Sequence, residues 1–129
     1  MKEQLNRVMV PVMLGDGPQA TAIARKLYRR FGVVSHVYCA HPSIFTYLLS
    51  YVRVVRTPDY LQGELLLEDL RIFAGEYPDL LFCLIPCSDR YRAFCLAHAK
   101  ELESYYVILQ PEQLGRDALP YLSKEELPV

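Results

Sequence analysis

Short apolar runs alternate with helix-like segments along this chain, and that alternation predicts a three-layer α/β domain around a mostly parallel sheet of about five strands. Two further observations support it. The runs are apolar on both faces, as buried parallel strands are, rather than alternating apolar with polar. And 129 residues, 52% of them apolar, are one domain's length of chain with enough apolar side chains for a core.

The first run is Val8 to Leu14. Pro11 lies inside it and cannot donate to a ladder, so the paired part is expected to start at Pro11. A helix follows, with apolar residues at Ala20, Ile23, Ala24, Leu27 and Phe31, and with Arg25, Lys26, Arg29 and Arg30 on its solvated surface. Gly32 ends it as a C-terminal glycine. Val33 to Cys39 is the second strand, Ile44 to Leu49 a short helix after Pro42-Ser43, and Val52 to Val55 the third strand. The next helix follows Pro58-Asp59, with Asp59 as N-cap and Gln62 three residues on. Its apolar face is Leu66, Leu70, Phe73 and Tyr77, and Pro78 stops it. Leu80 to Ile85 is the fourth strand. One continuous helix from Ser88-Asp89 is expected to bury Tyr91, Phe94, Cys95, His98 and Leu102, before a fifth strand at Tyr105 to Leu109. Periodicity carries no information on strand order. Residues 1–110 form the domain, and 111–129 read as a tail or connector with a short helix.

Composition narrows the function classes. Fourteen basic and fifteen acidic residues leave a net charge of −1, which argues against a nucleic-acid or polyanion binder despite ten tyrosines. No apolar run approaches the ~18 residues of a membrane span, and Met1 to Arg7 lack the apolar stretch of a signal peptide. The chain therefore reads as cytoplasmic, with no membrane partner. Its cysteines, Cys39, Cys83, Cys87 and Cys95, form no Cys-x-x-Cys pair, and Cys83, Cys87 and His98 make a poor ligand set. Reduced, mostly buried thiols are expected, with no metal.

Two loops carry what chemistry there is. Gly15-Asp16-Gly17-Pro18-Gln19-Ala20 follows the first strand in a Gly-x-Gly-x-x-Gly/Ala pattern. Gly15 permits a tight turn, Gly17 lets a ligand approach the backbone, and Pro18 suits the first helical position. The helix start then offers amides and partial positive charge to an anion. Against a dinucleotide, the second strand ends Tyr38-Cys39-Ala40-His41 with no acid for a ribose, and Asp16 disfavours a pyrophosphate in the loop. The pattern also serves simply to turn the chain tightly into its helix. The second loop, Ile85-Pro86-Cys87-Ser88-Asp89-Arg90-Tyr91, leaves the carboxyl end of the fourth strand, where parallel sheets collect ligands. Ser88 or Asp89 caps the next helix or meets a ligand. No base adjoins Cys87, so it is not expected to be a nucleophile. Among the histidines, only His41, at a strand end, is placed to meet a ligand.

Taken in order, Pro11-Val12-Met13-Leu14-Gly15, Ile23-Ala24-Arg25, Phe31-Gly32-Val33-Val34-Ser35, the loop Ile85 to Tyr91, and Glu101-Leu102 before Tyr106-Val107-Ile108 resemble one family. That family is the ATP-grasp carboxylate–amine ligases of the carbamoyl-phosphate-synthase-like and D-aspartate-ligase-like kind. The likeness is to their N-terminal (pre-ATP-grasp) domain and runs from about Val10 to about Leu114. The resemblance implies a Rossmann-like domain that lines one wall of the cleft for a small carboxylate or amine substrate. Gly15, Asp16, Gly17 and Pro18 would face that cleft, with Ser88 and Asp89 beside it. It implies no catalytic residue or bound cofactor in this domain alone. ATP and magnesium would be held by ATP-grasp lobes of the same or a partner chain, an acyl phosphate would form from the carboxylate, and the amine would attack it. Ending at Val129, the chain has no room for those lobes, so it is expected to be a fragment or a subunit that needs a partner. The alternative is a stand-alone Rossmann-like module for a nucleotide, NAD(P) or a regulatory ligand.

Overall fold

The structure, a computed structural model, describes residues 8–57 and 63–114. Its strands are β1 (Met9–Leu14), β2 (Ser35–Cys39), β3 (Val52–Arg56), β4 (Leu81–Pro86) and β5 (Tyr106–Ile108). They form one all-parallel sheet in the order β3-β2-β1-β4-β5. The helices are α1 (Pro18–Phe31), α2 (Ile44–Tyr47), α3 (Gly63–Glu76), α4 (Asp89–Ala97) and α5 (Ala99–Glu103), and a 3-10 turn covers Pro111–Leu114. This is the Rossmann-like three-layer arrangement, with helices on both faces of the sheet.

The side-chain period of two divides the core. Met9, Met13, Val37, Cys39, Cys83 and Ile85 point to one face, where Ala20, Ile23, Ala24 and Leu27 of α1 cover them. Val10, Val12, Leu14, Phe82 and Leu84 point to the other, against Leu66, Leu70 and Ala74 of α3, Tyr91 and Cys95 of α4, and Leu102 of α5. Every residue of β1 and β4 is buried, as their two-sided apolar sequences require. The Tyr106 hydroxyl finds a partner inside that second layer, donating to the Leu70 carbonyl at 2.7 Å.

The α1 signals act as expected. Pro18 stands in the first turn, and Gly32 takes a left-handed φ of 68°, its N–H donating to the Tyr28 carbonyl. Three expectations need correction. β1 pairs with β4 from Met9 onward, whereas pairing with β2 begins at Val12. The Gly15 N–H donates to Tyr38 of β2 and the Leu14 carbonyl accepts from Cys87 beyond β4, so odd-numbered residues of β1 aim their backbone groups at β2. Pro11 is odd, and its missing N–H faces β2 where that ladder has not yet begun. The single helix expected from Ser88 to Leu102 breaks at His98, whose φ of −118° and ψ of 23° leave the helical region. The His98 ring lies 4.9 Å from that of Phe94, and both are half-buried. Tyr77 falls just past α3 and is exposed, its ring edge-on to Phe73. The Asp59 cap, Gln62 and most of the tail, residues 115–129, lie outside the described residues, as do residues 1–7.

Candidate functional site

The sheet order fixes where the chemistry-bearing loops meet. From β1 the chain proceeds to β2 and β3 on one side, and from β4 to β5 on the other. The carboxyl ends of β1 and β4 are therefore a topological switch point, where open α/β sheets leave a crevice. The two loops singled out from the sequence leave these two strand ends. The Cys87 N–H donates to the Leu14 carbonyl at 2.9 Å and so ties one loop to the other. Gly15 is required at their junction. Its φ is 108°, and a Cβ there would lie 3.4 Å from the Tyr91 ring and 3.8 Å from the Cys87 Cβ. Gly17, at φ 143°, is in open space, so its glycine is demanded by backbone conformation alone.

Asp16 is the organising residue of the first loop. Its carboxylate accepts from the Gly17 N–H at 2.8 Å, the Ser43 N–H at 2.7 Å and the Thr46 hydroxyl at 2.8 Å. Ser43 in turn caps α2, accepting from the Phe45 N–H. The carboxylate thus fastens the glycine loop to the β2–β3 connection, and its negative charge already uses donors that an anionic ligand would need. Asp16, Gly17 and Pro18 open onto a groove of about 400 Å³ between α1 and α2, which Phe45, Thr46, Leu49 and Tyr51 also line.

The second loop is built around a cap. Ser88 Oγ accepts from the Tyr91 N–H at 3.3 Å at the start of α4, and the Asp89 side chain projects fully into solvent. Arg92, one turn on, pairs with Glu112 of the 3-10 turn and approaches Asp89 at 4.0 Å. Cys87 is half-buried, and burial pushes its thiol up to about 12, with Arg92 only partly opposing. It is a thiol at neutral pH, held near the Ile85 carbonyl. Burial likewise raises Cys39 and Cys95 to about 11 and Cys83 to about 12.

The six residues expected to face a ligand therefore divide. Gly15 stands at the junction of the loops; Asp16, Gly17 and Pro18 border the α1–α2 groove, and Ser88 and Asp89 stand apart from it at the head of α4. His41 is exposed beyond the end of β2. Searches among protein-family models, curated proteins and solved structures find no match to this chain. Among the described residues no three His, Cys, Asp or Glu side chains gather as a metal site, and no helix is long and apolar enough to cross a membrane.

Sequence reasoning missed Ser43 and Thr46 as partners of Asp16, and Leu49 and Tyr51 as walls of the groove. A Ser-x-x-Thr pair beginning a short helix was the available signal for the first two, but nothing local ties it to a loop 27 residues earlier.

Proposed function

We propose that this chain is the N-terminal, substrate-cleft domain of an ATP-dependent carboxylate–amine ligase of the carbamoyl-phosphate-synthase-like kind. The observation that carries the reading is the meeting of the two loops of the sequence resemblance at one switch-point crevice, with Gly15 packed on Tyr91 and Cys87. The domain's part is to shape a wall rather than to move electrons. Its crevice offers backbone groups, a capped helix start and an exposed Asp89, and its one half-buried thiol is protonated. The reaction itself, carboxylate activation by ATP with magnesium and attack by an amine, belongs to ATP-grasp lobes of the same or a partner chain. The Asp16 carboxylate in the glycine loop also disfavours a pyrophosphate there, which favours a small substrate over a dinucleotide.

The test is ADP formation by the complete assembly, supplied with magnesium, ATP, and candidate carboxylates and amines. ADP release is expected to need both substrates. Pro18→Glu places a carboxylate at the groove mouth in a first helical turn, where an acid is well tolerated. It should leave the fold intact and raise the KM for the carboxylate about tenfold, the cost of one unfavourable contact of ~1.4 kcal/mol. Unchanged kinetics would remove the loop from the cleft. The rival reading, a stand-alone nucleotide or regulatory-ligand module, predicts instead that NAD(P) or a nucleotide raises the Tm of the 129-residue chain by itself.

A further inference from the structure

The near-zero net charge hides a segregation. Residues 8–57 carry six Lys and Arg and a single acid, Asp16, whereas residues 63–114 carry four Lys and Arg and nine acids. The single acid of the first segment is engaged by three donors. The two helices that carry most of this difference lie on opposite faces of the sheet: α1 has Arg25, Lys26, Arg29 and Arg30 and no acid, whereas α3 has Glu64, Glu68, Asp69 and Glu76 against the single Arg71.

On the basic face lies an uncovered apolar surface. Ile44, Phe45 and Leu48 are 70%, 74% and 75% exposed, and no charged residue occurs from Pro42 to Val52. Large apolar residues grouped at such exposure mark an interaction site. Exposed Ile44 and Leu48 flank Phe45 in the chain, and Phe45 lines the α1–α2 groove together with Leu49 and Tyr51. Its α1 wall is a single helical stripe: Thr21 lines the groove, the Tyr28 ring meets Tyr51 at 5.9 Å, and exposed Arg25 lies between them. The occupant must therefore offer apolar side chains together with acids. On the opposite face, the outward stripe of α3 has that pattern. Leu65, Asp69, Ile72 and Glu76 are all exposed and fall at i, i+4, i+7 and i+11 on one side of the helix.

We infer that the α1–α2 groove of one copy receives the outward face of α3 from a second copy, apolar residues entering the groove and acids meeting Arg25 beside it. The mode is an amphipathic helix in a groove. A symmetric contact of α2 on α2 would bring the basic α1 helices of both copies together, so the opposed charges select the head-to-tail arrangement. Because groove and α3 occupy opposite faces, each copy keeps one of each surface free, and such a contact does not close at a dimer. The inference does not rest on the ligase reading: a copy seated in the groove would compete with a substrate bordered by Asp16, Gly17 and Pro18, so the two are tested apart, one by mass and the other by kinetics.

The test is sedimentation velocity of the 129-residue chain over a range of concentrations, in low and raised salt. The mass should climb above 14.9 kDa with concentration, continue past the dimer, and climb less in raised salt. Phe45→Glu blocks the groove and Ile72→Lys blocks the helix, and each alone should be monomeric. Mixed in equal amounts, each supplies the surface the other lacks, and a capped one-to-one dimer should form. Leu96→Glu, at an exposed apolar position on α4, should change nothing. Circular dichroism checks the fold of each variant; Leu48→Glu, on the adjoining exposed patch, and Asp69→Lys replace any that unfolds. A chain monomeric at every concentration overturns the inference, as does association that survives either blocking variant or a mixture that stays monomeric.

Discussion

The Asp16 carboxylate accepts the Thr46 hydroxyl at 2.8 Å across 30 positions of sequence. With the Gly17 and Ser43 N–H groups it makes one side chain the hinge-pin between the glycine loop and the β2–β3 connection. Asp16→Ala should therefore lower the unfolding free energy by about 1–3 kcal/mol, the scale of orphaning donors to a charged acceptor. Thr46→Val should cost less, and the double variant should cost less than the two together, with a coupling of ~1 kcal/mol in a denaturant-melt cycle. Additive effects would mean that the bond contributes nothing to stability.

The two loop glycines separate conformation from packing. Gly15→Ala puts a Cβ at left-handed φ and 3.4 Å from the Tyr91 ring, whereas Gly17→Ala meets nothing within 4 Å. Both should destabilise, Gly17→Ala by ~1 kcal/mol and Gly15→Ala by ~2–3 kcal/mol. Equal losses in urea titrations would contradict the close approach at Gly15.

How far these features could be read in the sequence follows from their range. Pro18 and Gly32 act within one turn of their own helix, and both were legible as capping residues. The apolar runs marked all five strands, most plainly β1 and β4, which are buried on both faces, and less plainly the edge strand β3, whose Arg53 and Arg56 are exposed. Strand order was not legible, since side-chain pattern does not record which strand lies beside which. The engagement of Asp16 was hidden for the same reason: a loop acid reads as a ligand contact until its partners, Ser43 and Thr46, are brought to it by the fold. The His98 break was hidden too, because the apolar spacing from Tyr91 to Leu102 continues across it. The charge segregation was present in the sequence but cancelled in the net charge.

His36 should couple stability to mild acid. Burial, and secondarily the Arg53 guanidinium opposite it on β3, lower its pKa below 6.5 while its ring packs on Phe73 at 5.1 Å. The folded state thus resists a proton that the unfolded chain accepts. The contribution is complete above about pH 6.5 and is lost as the pH falls below that value. His36→Phe should flatten the pH dependence of Tm in this window. A slope identical to that of the parent chain would show that His36 is not its source.

The thiols should be quiet in the native protein. With Cys39, Cys83, Cys87 and Cys95 raised to between about 11 and about 12, little thiolate forms at pH 8. A chromogenic disulfide reagent should titrate them slowly, half-buried Cys87 first, and all four rapidly once the chain is unfolded. Rapid reaction of Cys87 in the folded state would restore it as a candidate nucleophile.

The ligase reading is tested most directly by the mass of the native polypeptide and of whatever stays bound to it, captured from source cells with an antibody to this domain. A polypeptide far heavier than 14.9 kDa, or a stoichiometric ATP-binding partner, is the predicted result. A 14.9 kDa chain with no such partner would contradict it.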